Sequence, residues 1–158
     1  MNEHRIGLLA LFLLALCASC RGTHASEEGG SAPAAEPAVR SLVRGYHSGL
    51  RKTGVRVART AEQWRVLWRE HASYLVPEPE LPEVDWSRDM VVGVFLGERP
   101  SGGFSVEVRD VVAKDGRLLV QAVETKPAED RVVPMVVTHP YHFVRAPRAE
   151  GEAQLELR

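Results

Sequence analysis

The chain has 158 residues, of which 26% are charged and 44% hydrophobic, and its formal net charge is −1. That length holds one domain and a tail. With acids and bases interspersed, there is no basic footprint for nucleic acid and no polybasic patch for lipid headgroups.

Residues 1–20 read as an export signal of the lipoprotein type. His4 and Arg5 give a weakly positive start, and Ile6 to Leu16 is an unbroken apolar run. The run is too short for a membrane span, which needs about 20 apolar residues. Ala18-Ser19-Cys20 then resembles a bacterial lipobox, in which the cysteine becomes the first mature residue and carries lipid. Cys17 stands where a leucine-like residue is usual. Ordinary cleavage after Ala25, in Thr23-His24-Ala25, is the alternative and gives a secreted protein. Lipidation of Cys20 is favoured on two grounds: no later cysteine exists to pair with it, and a spacer follows directly. That spacer, residues 21–38, is small, polar and rich in Gly, Ala, Pro and Glu. It has too little apolar surface to offset ordering entropy and reads as a flexible tether.

The folded domain is expected over residues 39–158. It lacks cysteine, so it must rest on an apolar core without disulfide or thiolate metal site. Ser41 to Tyr46 reads as a first strand, Ser48 to Thr53 as a turn, and Val55 to Arg59 as a second strand. Thr60 with Gln63 has capping-box form and opens an amphipathic helix over about 60–73. Trp64, Leu67, Trp68 and His71 share one face of it at i, i+3, i+4 and i+7. Pro77, Pro79 and Pro82 forbid helix next, so residues 76–84 form an extended connector. Met90 to Leu96 is apolar at nearly every position, as in a central strand covered on both faces. After a stiff loop at 97–103, Phe104, Val106 and Val108 alternate with polar residues. Lys114-Asp115-Gly116 is a hairpin turn leading into a strand at 117–125. Arg131 to Thr138 is strand-like, but Pro134 implies an edge or a break. His142 to Ala146 and Gln154 to Leu157 close the chain as strands. The fold class is α+β: a mostly antiparallel β-sheet, or a half-open barrel or sandwich, with one helix.

Chemistry-bearing motifs are scarce. There is no G-x-S-x-G elbow, no H-E-x-x-H and no Walker loop. The six histidines are scattered, and His139 and His142 flank Pro140-Tyr141 without a carboxylate or thiol at ligand spacing. No metal or cofactor is therefore expected. Glu107 and Glu124 fall on strands that pair, where such carboxylates are usually solvated. The remaining candidate is the loop itself. Pro100 fixes a turn corner, Gly102 and Gly103 open backbone conformations closed to other residues, and Arg99 offers a bidentate charged contact. Two readings of Arg99, Pro100, Ser101, Gly102 and Gly103 stand side by side: a partner-binding loop, or a connector whose glycines serve the turn. Phosphate binding is disfavoured because no helix follows Gly103.

Four stretches carry a family resemblance. They are Trp64-x-x-Leu67-Trp68-x-x-His71, Val84-Asp85-Trp86-Ser87-Arg88-Asp89-Met90-Val91-Val92, Gly97 to Val108, and Thr138-His139-Pro140-Tyr141-His142. Together they resemble the PrcB C-terminal domain family, in order and across nearly all of residues 39–158. The loop is similar to that family's R-P-T-G-G-Y, with Ser101 and Phe104 as departures. The resemblance implies an exported, often lipid-anchored bacterial protein that is an accessory or binding module and not an enzyme. Its partner would be another exported protein, a protease among the candidates, and its place the cell envelope. A looser likeness of Arg99 to Phe104 to the N-P-T-T-G-Y/F loop of chagasin-like inhibitors offers an alternative, protease inhibition by the 97–103 loop.

Overall fold

The computed structural model describes residues 38–73 and 75–158. The proposed signal, Cys20 and the tether through residue 37 lie outside them. Among the described residues, seven strands and one helix follow in the order β1 (Arg40–Gly45), β2 (Gly54–Ala58), α1 (Ala61–Ala72), β3 (Asp89–Phe95), β4 (Ser105–Lys114), β5 (Arg117–Thr125), β6 (Tyr141–Pro147) and β7 (Glu152–Leu157). One sheet has strand order β1-β6-β3-β2 and the other β4-β5-β7. All pairings are antiparallel except β5 with β7, which is parallel. The two sheets do not close into a barrel, and the class is α+β.

Strand β3 explains the layering. Its residues alternate between two dry faces, and Met90, Val91, Val92, Val94, Phe95 and Leu96 are each at most 1% exposed. Met90, Val92, Val94 and Leu96 pack with Val106, Val108, Leu118 and Val120 of the second sheet. Val91 and Phe95 pack with Trp64, Leu67 and Trp68 of the helix and Phe143 of β6. Between them, Gly93 lets the Phe143 ring lie on the strand, since a Cβ there would stand 2.5 Å from that ring. The four-stranded sheet is thus the middle layer, and its continuous apolar strand is the consequence of two covered faces.

The helix begins as its cap dictates. Thr60 Oγ1 accepts from the Gln63 amide, and Gln63 Oε1 accepts from the Arg59 amide one residue before the cap. The proline connector satisfies the tryptophans, because Trp64 and Trp68 donate their indole N–H groups to the carbonyls of Pro82 and Pro79 at 3.0 Å each. Two large aromatics can then be buried without an orphaned donor. In the β4–β5 hairpin, Asp115 and Gly116 both have positive φ, 51° and 72°, as a type I′ turn requires.

Two expectations are corrected. Residues 131–137 form no strand, and only Thr138 pairs, in a single bridge to Arg99. Pro134 removes a ladder donor, and most of the apolar side chains of this run face outward instead of into a core. The closing strand is also longer than Gln154 to Leu157 and joins its sheet parallel to β5.

Candidate functional site

The 97–103 loop is laced to the segment that follows β5. Leu96 donates to the Pro140 carbonyl at 3.0 Å, and Arg99 and Thr138 exchange backbone bonds of 2.8 and 2.9 Å. Gly102 donates to the Pro134 carbonyl at 2.8 Å, and Thr138 Oγ1 donates to the Ser101 carbonyl at 3.0 Å. The loop therefore lies along residues 134–140 and is not a free-standing finger.

Its glycines have separate reasons. Gly103 has φ +92°, which disfavours any side chain. Gly102 has no such φ, and its constraint is the approach of the Pro134 ring, 3.1 Å from where a Cβ would be. Gly97 combines both, with φ +71° and the Arg51 carbonyl 2.8 Å from its would-be Cβ.

Arg99 makes the bidentate contact that its type suggests, but within the domain. Its Nε and Nη2 donate to the two carboxylate oxygens of Glu124 at 2.8 and 3.1 Å. Its Nη1 donates to the Leu96 and Glu98 carbonyls at 2.6 and 3.0 Å. The guanidinium stands 6.0 Å from the Phe104 ring centre. Hydrogen bonding from Arg99 holds the Glu124 carboxyl below its usual range, and attraction to Arg99 and Lys126 adds to this against the opposing effect of burial. Ser101 is buried, while Pro100 and Gly103 are exposed. Of the five loop residues, the tip that reaches solvent is thus Pro100 and Gly103.

The most exposed apolar surface lies beside that tip. Val132, Met135, Val136 and Val137 are 99%, 87%, 50% and 49% exposed. Val136 also lines a groove of about 310 Å³ with Tyr46, His47, Gly102, Gly103, Pro134 and Thr138. Large exposed apolar clusters of this kind mark contact surfaces. The sequence pointed here only through Pro134, which forbade a central strand.

The other candidates are accounted for separately. Glu107 and Glu124 do not face each other, because Glu107 sits opposite Val123 and Glu124 opposite Val106. His142 joins the two sheets: its Nδ1 accepts from the Val108 amide at 2.9 Å. Nε2 therefore carries the proton and donates to Ser41 Oγ at 2.9 Å. Burial, with a smaller effect from Arg44, lowers its pKa against the pull of Glu107. His139 is held by its backbone on the Tyr46 carbonyl, with Nε2 3.9 Å from a Glu98 carboxylate oxygen. His71 is fully buried among Trp68, Tyr141 and Phe143, with Nδ1 3.0 Å from Ser48 Oγ. Among the described residues no group of three or more His, Cys, Asp or Glu is arranged to hold a metal ion.

The stretch that carries the loop and the exposed segment is also the stretch with a recognised relationship. Residues 90–147 match the PrcB C-terminal family. The PrcB C-terminal match runs from β3 through the loop, β4, β5 and the 131–140 segment to the end of β6. The helix motif Trp64-x-x-Leu67-Trp68-x-x-His71 lies outside it. No curated protein and no solved structure matches the chain.

Proposed function

We propose that this protein is a non-enzymatic accessory module of the cell envelope that assists a protease complex by binding another exported protein. The observation that carries the reading is the exposed run Val132 to Val137, braced on the 97–103 loop inside the PrcB C-terminal match. Four large apolar side chains held in water by a hydrogen-bonded brace make sense when a partner covers them. Direct inhibition through the loop is the weaker reading, because Arg99 is bound to Glu124 and the loop is laced along residues 134–138.

Affinity capture of the full chain from a detergent extract of its source cells tests this. A specific exported partner is expected with the wild-type chain and with Arg65→Ala on the outer face of α1, and is expected to be lost with Val136→Asp. Equal recovery by wild type and Val136→Asp would remove the surface from the account. The module is placed at the membrane by lipid on Cys20, with residues 21–38 as tether. Cys20→Ser is expected to move the protein into the soluble fraction, and unchanged fractionation would refute the anchor.

A further inference from the structure

Residues 131–137 run without turn or bend, and the backbone bonds to the loop come from Pro134 and Thr138, which lie an even number of residues apart. The Pro134 carbonyl, the Thr138 amide and the Thr138 carbonyl all point to the 97–103 loop. An extended chain sends the polar groups of successive residues to opposite edges. Those of Met135 and Val137 therefore face away from the loop. Among the described residues, no backbone hydrogen bond reaches the amides of Met135, Val136 or Val137. This is an extended backbone edge whose inner side is pinned at Pro134 and Thr138 and whose outer side is open, in a run from Val132 to Thr138 that carries no charge.

From this edge we infer that the partner docks by strand addition: an extended, uncharged apolar segment of another protein pairs with Met135 to Val137. The inference rests on the accessory reading above and specifies its mode. Three features fit that occupant. The outward amides and carbonyls at 135 and 137 match the period of a strand. The Val136 side chain reaches the groove formed with Tyr46, His47, Gly102 and Gly103, which gives an alternate side chain of the partner a seat. The brace to Arg99 and Gly102 fixes the edge before binding, so little ordering cost remains. A lipid surface fits worse. Burying the same valines in a bilayer would take the free amides out of water with nothing to bond them.

The test uses the purified full chain and a fluorescein-labelled octapeptide of alternating Val and Thr as probe, followed by anisotropy. A second probe carries N-methyl groups on backbone amides of both edges of its strand. Saturable binding of the first probe is expected, and binding at least tenfold weaker for the N-methylated probe. Val137→Pro removes one outward amide but keeps an apolar side chain, and is expected to weaken binding at least tenfold, whereas Val137→Ile leaves it within twofold. Amide exchange at Met135 and Val137 is expected to slow when the probe is bound.

Binding indifferent to N-methylation overturns the inference, as does failure of the peptide to bind. So does binding to phosphatidylcholine–phosphatidylglycerol vesicles by an exposed segment that ignores the peptide. Dimerisation of the chain that Val137→Pro abolishes would assign the edge to a second copy and equally overturn it. If Val137→Pro fails to fold, the N-methylated probe decides. Partner capture that depends on Val136 while both peptide arms fail would leave the accessory reading standing and remove strand addition alone.

Discussion

Arg99 and Glu124 are the clearest case of a side chain whose type invites one role and whose surroundings give it another. The guanidinium suits a partner contact, since Arg favours bidentate recognition of carboxylates. The sequence held no sign that its carboxylate would be Glu124, 25 positions later and on β5. Side-chain exposures of 20% and 12% make this pair a structural clasp between loop and sheet. Glu124→Gln keeps the shape and removes the charge, and is expected to destabilise the fold by about 1–3 kcal/mol in urea titrations. The pair also sets an acid limit. The folded pKa of Glu124 lies below the ordinary value of 4.5, so its contribution is present above that value and is lost as pH falls through the lowered one. The buried histidines act earlier. Burial takes His71 from 6.5 to about 4, and His142 shifts in the same direction. The unfolded chain therefore binds protons that the folded chain refuses, and stability falls as pH drops from about 6.5 towards 4. The steepest slope from His71 is about 1.4 kcal/mol per pH unit. Thermal melts of the wild type and His71→Phe between pH 7.5 and 4.5 check this, and a flatter profile is expected for the variant.

The elements divide by whether their cause is local. The helix was legible because Thr60, Gln63 and the Trp64–Leu67–Trp68–His71 spacing all act within it. β3 was legible because two covered faces leave no polar alternation, and the β4–β5 turn because Asp115-Gly116 permits positive φ. What the sequence could not convey depends on distant chain. The parallel β5–β7 pair is set by how residues 147–152 return the chain, and the choice of stacked sheets over a barrel by which edges stay unpaired. The β-branched run at 131–137 looked strand-like because propensity reads side-chain type, whereas pairing needs a neighbour on the sheet. The glycine readings were half local. Gly103 needs its φ, but Gly102 is limited by Pro134, 32 residues on. Gly97→Ala is expected to cost about 2 kcal/mol, since it adds both strain at φ +71° and a clash with the 51–53 backbone. Gly116→Asn in the hairpin, where a Cβ meets nothing within 4 Å, is expected to change stability by less than about 1 kcal/mol. Chemical denaturation of the two variants side by side makes the comparison. Phe143→Ala should be the most damaging change in the middle layer, at about 3–5 kcal/mol, because its ring contacts Trp64, Trp68 and Phe95.

Across the described residues, the middle sheet and its two covers form a packed base, and the 97–103 loop braces residues 132–137, whose apolar side chains mostly face solvent. The PrcB C-terminal match includes this surface and leaves out the helix. That division predicts where a partner will and will not protect the domain. The decisive measurement is amide hydrogen exchange on the full chain, free and bound to its captured exported partner. Slowed exchange is expected at residues 132–138 and 99–103, with the amides of α1 unchanged. Protection that falls on α1 or the β2 edge, with residues 132–138 exchanging as in the free chain, would contradict that expectation.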